Sequence, residues 1–84
     1  MRLDLFLKNT RLAKRRSAAK ALAGEGAVLV NGHPAKPGRD VRPGDVLTFL
    51  HEEREQRQLR ILAEAPRPVP KGREGEFFEW MDRE

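Results

Sequence analysis

The chain has 84 residues, no cysteine, 17 basic and 13 acidic side chains, and a formal net charge of +4. One small domain is expected, with a core too limited for a deep enclosed catalytic pocket. Disulfides and thiolate metal sites are excluded, and His33 and His51 alone are too few for a convincing zinc site. The longest apolar run, Ala27 to Val30, falls far short of the ~18 residues of a membrane span. The opening Met1-Arg2-Leu3-Asp4 places an acid where a signal peptide is apolar. A cytoplasmic protein without cofactor or metal is therefore expected.

Leu3, Phe6 and Leu7 recur at helical spacing, so residues 3–9 are predicted to form a short amphipathic helix. Leu12 and Ala13 carry the apolar pattern into a bend, and the triplet Lys14-Arg15-Arg16 follows. Ser17 is the N-cap candidate for a second helix through Ala18, Ala19, Ala21, Leu22 and Ala23, with Gly24 and Gly26 as stop signals. Its small face allows close approach to the first helix, which suits a helical hairpin.

After Gly26 the period changes. Ala27 to Val30 reads as a strand, and Asn31-Gly32 is a strong hairpin-turn signal. Pro34 and Pro37 restrict the return strand to a short or edge piece. Pro43-Gly44-Asp45 is a further turn, and Val46 to Leu50 is the clearest strand. Residues 52–57 read as a charged loop or exposed turn. Leu59 to Ala65 is expected as a last strand with Leu59, Ile61 and Ala63 on one side; helix is the alternative, because 52–65 also favours helix. The fold class is α+β: a two-helix hairpin followed by a small, mainly antiparallel sheet.

Residues 1–65 are read as the domain and 66–84 as a Pro/Gly linker with an acidic, aromatic tail. Three of the chain's five aromatics, Phe77, Phe78 and Trp80, lie in that tail. So short a segment forms no stable isolated helix and must dock to be ordered; covering one face of the sheet is the favoured reading. Phe6, Leu7, Leu12, Leu22, Val28, Val30, Val46 and Phe49 are assigned to the core.

Charge is unevenly placed. Residues 1–42 hold ten basic residues against three acids, a net of +7, and residues 43–84 carry −3. A concentrated basic field attracts polyanions, of which nucleic acid is the commonest. The second predicted helix offers almost no polar base readers, which argues against a DNA-reading helix-turn-helix. Neither histidine has an evident nucleophile or orienting partner, so no enzymatic activity is expected.

Five ordered blocks carry a resemblance: Arg2-Leu3-Asp4 with Phe6-Leu7; Arg11-Leu12-Ala13-Lys14 with Arg16-Ser17 and Ala19; Gly26 with Val28 and Val30-Asn31-Gly32; Lys36-Pro37; and Val41 with Gly44-Asp45. Over residues 2–50 the chain resembles the S4 RNA-binding domain, also called the alpha-L motif. Arg15 departs from the small hydroxyl residue often found there, and adds positive charge. The resemblance implies that the helical hairpin and adjoining sheet edge bind structured RNA through Arg2, Lys8, Arg11, Lys14, Arg15, Arg16, Ser17, Lys20, Asn31 and Lys36. Arginine suits phosphate because it donates two parallel hydrogen bonds. Ser17 is better placed to cap the helix than to contact phosphate, and the turn itself accounts for Asn31. Asp4 is assigned a structural role, pairing with an arginine such as Arg11 or holding the helix start.

Among stand-alone members of this family, the short length and opening residues look more like the ribosome-associated quality-control group. The heat-shock group is similar, but usually carries a longer basic C-terminal extension. The resemblance to the first group implies contacts with large-subunit ribosomal RNA and tRNA on obstructed 50S particles carrying peptidyl-tRNA. It also implies a quality-control elongation factor as a partner. The heat-shock type, recycling stalled 50S–nascent-chain complexes, and a general structured-RNA binder in ribosome assembly are the alternatives. No membrane partner is implied, and a monomer is expected.

Overall fold

The structure is a computed structural model that describes residues 1–50 and 57–81. Helix α1 spans Leu3–Asn9 and α2 Arg16–Gly24. Strands follow at Val28–Val30 (β1), His33–Pro34 (β2), Val46–Phe49 (β3), Arg57–Ile61 (β4) and Phe78–Trp80 (β5), with a short 3-10 turn at Glu74–Glu76. The strands form one antiparallel sheet in the order β2-β1-β3-β4-β5. The expected α+β class, with a helical hairpin followed by an antiparallel sheet, is the observed one.

Both helices stop by backbone chemistry. Gly26 adopts φ 76° after α2, its N–H donates to the Ala23 carbonyl at 3.1 Å, and the Ala27 N–H donates to Leu22 at 3.2 Å. These two bonds make a Schellman motif, which favours glycine because a left-handed residue must sit there. At the other end, α2 begins at Arg16 after an extended Arg15, and no side chain caps it. This corrects the assignment of Ser17 as N-cap. Ser17 already lies inside the helix, exposed, where its side chain does not play the capping role of a preceding extended residue.

The turns match their sequence signals. Asn31 (φ 51°) and Gly32 (φ 86°) form the two-residue connection between β1 and β2, in which both central residues have positive φ. Arg42-Pro43-Gly44-Asp45 closes with the Asp45 N–H on the Arg42 carbonyl at 3.1 Å, and Gly44 has φ 97°. Proline and then glycine at the central positions suit a type II turn.

The sheet packs one face against the helices. Cross-strand partners share a face, so the register places Val28, Val30, Leu47, Phe49, Leu59, Ile61 and Phe78 on the inner side. With Leu3, Phe6 and Leu7 of α1 and Ala19 and Ala23 of α2, most of these residues form the core. Val46 is not a core residue as expected. It lies two residues from Thr48 on the outer face, and the fully buried neighbour is Leu47. Leu12, Leu22 and Phe49 are half-buried and pack against the core edge.

The last expected strand is a strand, but it spans Arg57–Ile61 rather than 59–65. Among the described residues it pairs with β3 from Phe49–Arg57 to Val46–Arg60, and its last residue, Ile61, pairs with Phe78. The charged segment read as a loop lies outside the described residues except Arg57, as does His51. In the stretch read as linker and tail, residues 66–81 lie on the domain. Val69 is buried in the core, and Phe78–Trp80 pairs with β4 as the fifth strand. The aromatic segment thus extends the sheet's edge instead of lying over its face.

Candidate nucleic-acid interface

The loop between α1 and α2 carries the basic cluster. Asp4 is wholly buried beneath it, and its Oδ1 accepts from Arg2 Nε at 3.1 Å and its Oδ2 from Arg2 Nη2 at 3.2 Å. Arg16 Nε of α2 lies 3.5 Å from Oδ2 of the same carboxylate. Burial by itself would push this carboxyl up, but the hydrogen bonds and charge of Arg2, the charge of Arg16 and the Leu5 N–H hold it below the usual carboxylate range. One buried anion therefore fixes two guanidinium groups, both about half exposed, at the surface. The expected partner of Asp4, Arg11, lies elsewhere, because Arg11 points toward the C-terminal segment.

Arg11 follows the α1 C-cap, Thr10, and takes φ 69°. This is the left-handed position where helices usually end in glycine, and a larger residue costs ~1 kcal/mol there. Its Nε–H donates to the Val69 carbonyl at 3.0 Å, and Glu74 Oε2 lies 3.9 Å from Nε. Lys8, Asn9, Arg11, Ala13, Lys14, Pro68 and Val69 line an open cleft of about 310 Å³. Its charged lining is entirely basic.

Lys14, Arg15 and Lys20 are exposed and form no ion pair among the described residues. Arg15 directly precedes the uncapped α2 N-terminus, whose free N–H groups and dipole favour an anion. The structure groups these residues in two sets: Arg2 and Arg16 share buried Asp4, and Lys8, Arg11 and Lys14 line the cleft, while Arg15, Ser17 and Lys20 are exposed at the start of α2 or along it.

Asn31 and Lys36 lie outside the helical hairpin, Asn31 in the β1–β2 turn and Lys36 in the loop after β2. Asn31 Nδ2 donates to Asp45 Oδ1 at 3.1 Å, and its Oδ1 accepts the Val46 N–H at 2.9 Å. Its side chain thereby ties one turn to the next. Lys36 is exposed in the loop that receives the Leu3 and Asp4 N–H groups through Arg39 and Pro37. The Arg2 guanidinium lies over Gly38 of that loop, where an added Cβ would meet it at 3.7 Å.

Sequence reasoning missed the segment 65–74 as a neighbour of the basic cluster. Asn9 Nδ2 donates to the Ala65 carbonyl at 2.7 Å, and the Val69 N–H donates to the Asn9 carbonyl at 2.9 Å. The only sequence signal was a buried-type residue, Val69, between two prolines. Arg67, exposed in this strap, and exposed Arg39, whose carbonyl accepts the Leu3 N–H, were likewise not singled out.

A family model described as the S4 domain matches residues 1–47. The RQC P-site tRNA stabilizing factor of Bacillus subtilis (strain 168) is 56% identical over 48 residues, covering 57% of this chain and 56% of that protein. The protein of the same name from Helicobacter pylori (strain J99) is 39% identical over 71 residues, covering 80% of this chain and 84% of the relative. Against the Bacillus and Listeria innocua relatives the chain spans about half their length. The trimeric structure of Vibrio cholerae Heat Shock Protein 15 superposes with a TM-score of 0.85 at 26% identity, over 96% of this chain and 81% of that one. The solution structure of the hypothetical protein HP1423 gives 0.82 at 30% identity, over the full length of both chains.

With the helical hairpin, the antiparallel sheet and the basic loop between the helices, these matches define an RNA-binding module: the chain belongs to the S4 domain family. Within that family, its similar curated proteins carry the name RQC P-site tRNA stabilizing factor.

Proposed function

We propose that this is a non-catalytic RNA-binding protein of ribosome-associated quality control. It binds large-subunit ribosomal RNA and tRNA on obstructed 50S particles that carry peptidyl-tRNA. The observation that carries this reading is the basic surface of the helical hairpin: Lys14, Arg15 and Lys20 have no acidic partner among the described residues, and Arg2 and Arg16 are held half-exposed by buried Asp4. Likeness to the Helicobacter pylori factor over 71 residues supports the P-site tRNA as ligand. Phosphate contacts from such a cluster set position and affinity, while the shape of the RNA supplies selectivity. The protein acts as a monomer in the cytoplasm, alongside an elongation factor that extends the stalled chain.

The structural likeness to Heat Shock Protein 15 favours a second reading, in which the chain recycles stalled 50S–nascent-chain complexes. Co-sedimentation with 30S, 50S and 70S particles, and with 50S carrying peptidyl-tRNA, tests the first step common to both. The native chain is expected to prefer the tRNA-loaded 50S, and a folded variant with Arg11, Lys14, Arg15 and Arg16 changed to alanine to lose that preference. Absence of binding to every particle by the native chain would overturn both readings. Stimulation of tail elongation in a reconstituted reaction separates them, and is expected only of the quality-control role. Sedimentation of the free chain as a trimer would overturn the monomer.

A further inference from the structure

The cleft beside the helical hairpin has one wall outside the S4-matched residues. Lys8, Asn9, Arg11, Ala13 and Lys14 form the first wall; Pro68 and Val69, in the strap between β4 and β5, form the second. The strap is not loosely laid. Buried Asn9 holds it at Ala65 and at Val69, and the Val69 carbonyl in turn accepts from Arg11 Nε at 3.0 Å. That bond occupies one of the five guanidinium donors and fixes the plane of the group. The two terminal nitrogens remain to grip an anion side by side.

Glu74 lies at the strap's far end. Its Oε1 accepts the Gly72 N–H at 2.9 Å, so the local turn orients the carboxylate. Its Oε2 stands 3.9 Å from Arg11 Nε, close enough for charge attraction but too far for a hydrogen bond. Arg11 itself occupies a left-handed position that glycine would take without strain. A backbone cost retained at a basic surface residue points to a use for the side chain.

We propose that the strap completes the RNA-binding site, with Val69 aiming Arg11 into the cleft and Glu74 acting as a weakly held counter-ion that an RNA phosphate displaces. Val69 and Glu74 are positioning residues, and Arg11, Lys8 and Lys14 receive the phosphate. This rests on the RNA-binding reading above and adds a C-terminal segment to its site.

The test is a two-by-two cycle in the full-length chain: native, Glu74→Gln, Arg11→Gly and the double variant. Arg11→Gly relieves the left-handed backbone, so the fold is retained, which circular dichroism checks. Affinity is measured by co-sedimentation titration with 50S subunits carrying peptidyl-tRNA at fixed salt. Glu74→Gln is expected to tighten binding about 1.5- to 5-fold, the range of one exposed ion pair. The same substitution in the Arg11→Gly background is expected to change nothing, and Arg11→Gly alone to weaken binding. An equal gain in both backgrounds would show only the general benefit of losing an acid, and would overturn the proposal while leaving RNA binding intact. Weaker binding on Glu74→Gln would overturn it too. A folded native chain that binds no particle overturns the RNA-binding reading and this proposal together.

Discussion

The Oδ2 of Asp4 lies 3.5 Å from Arg16 Nε, joining a wholly buried position on the first helix to a half-exposed one on the second. Because Arg2 shares the carboxylate, a single buried charge fixes three elements: the N-terminus, α1 and the start of α2. Asp4→Asn keeps the shape but turns an amide donor toward two guanidinium donors. A loss of about 1–3 kcal/mol is expected, the range for a hydrogen-bonded buried charge with exposed partners. Urea denaturation of the two proteins at neutral pH measures it, and equal midpoints would refute the linchpin role.

The same carboxyl sets part of the acid limit of the fold. Despite burial, it stays below the ordinary range because of Arg2 and Arg16. Asp40 is held low in the same direction by its hydrogen bond to the N-terminal amino group, 2.9 Å away, and by that group's charge. A depressed folded-state value means that the unfolded chain binds the proton first as pH falls. Their stabilisation is therefore complete above the unfolded carboxylate pKa of about 4, and is lost as pH falls through the lower folded values. Asp4→Asn is expected to flatten the stability–pH profile in that acid window and to leave its neutral plateau lower but level. Profiles that run parallel down to the lowest pH would contradict this.

Much of this architecture was legible in the sequence because its signals are local. Asn31-Gly32 and Pro43-Gly44 name their own turns through the φ values they tolerate. The hairpin's basic loop follows from residues adjacent in sequence. What was not legible depends on partners far along the chain. Asp4 finds Arg16 rather than Arg11 because α2 packs back on α1, and Arg11 is drawn to Val69, 58 residues away. The Phe78–Trp80 segment lacks the length to declare itself a strand; pairing with β4 gives it that form. Ser17 misled because capping residues are recognised by type, whereas the helix start is set by backbone angles that turn at Arg15.

Binding to RNA is expected to weaken steeply with salt. Five or six phosphate contacts lose roughly two to three orders of magnitude in affinity between about 50 and 200 mM salt, scaled from double-helix values. Arg16→Ala is expected to reduce the slope of log affinity against log salt by about one, if Arg16 neutralises one phosphate. An unchanged slope would remove Arg16 from the contact set and leave it as the partner of Asp4 alone. Lys20→Ala provides the comparison, because Lys20 has no ion pair among the described residues whose loss would disturb the fold.

Two glycines at the end of α2 are expected to respond in opposite directions to the same change. Neither would bring an added Cβ within 4 Å of a neighbouring atom, so only the backbone matters. Gly26 sits at φ 76°, where alanine costs about 1 kcal/mol. Gly24 is helical, and alanine there restricts the unfolded chain and improves helix propensity, for a gain of about 0.5 kcal/mol. Thermal denaturation of the two single variants reads the sign directly. A stabilised Gly26→Ala would be incompatible with the Schellman termination.

Asn9 is the hinge pin between the helical hairpin and the strap. It is buried, and its Nδ2–H supplies a hydrogen bond to the carbonyl of Ala65, a residue with no exposed surface. Asn9→Ala leaves that carbonyl dry and unpaired, at a cost of about 1–3 kcal/mol. The loss should be felt locally before it is felt globally. The Val69 N–H, which donates to the Asn9 backbone, is expected to exchange faster with solvent deuterium, whereas the amides joining β1 to β3 retain more of their protection. A uniform acceleration throughout the chain would instead mean that strap and sheet open only together. In that case the cleft wall made by Pro68 and Val69 would be no more mobile than the core beneath it.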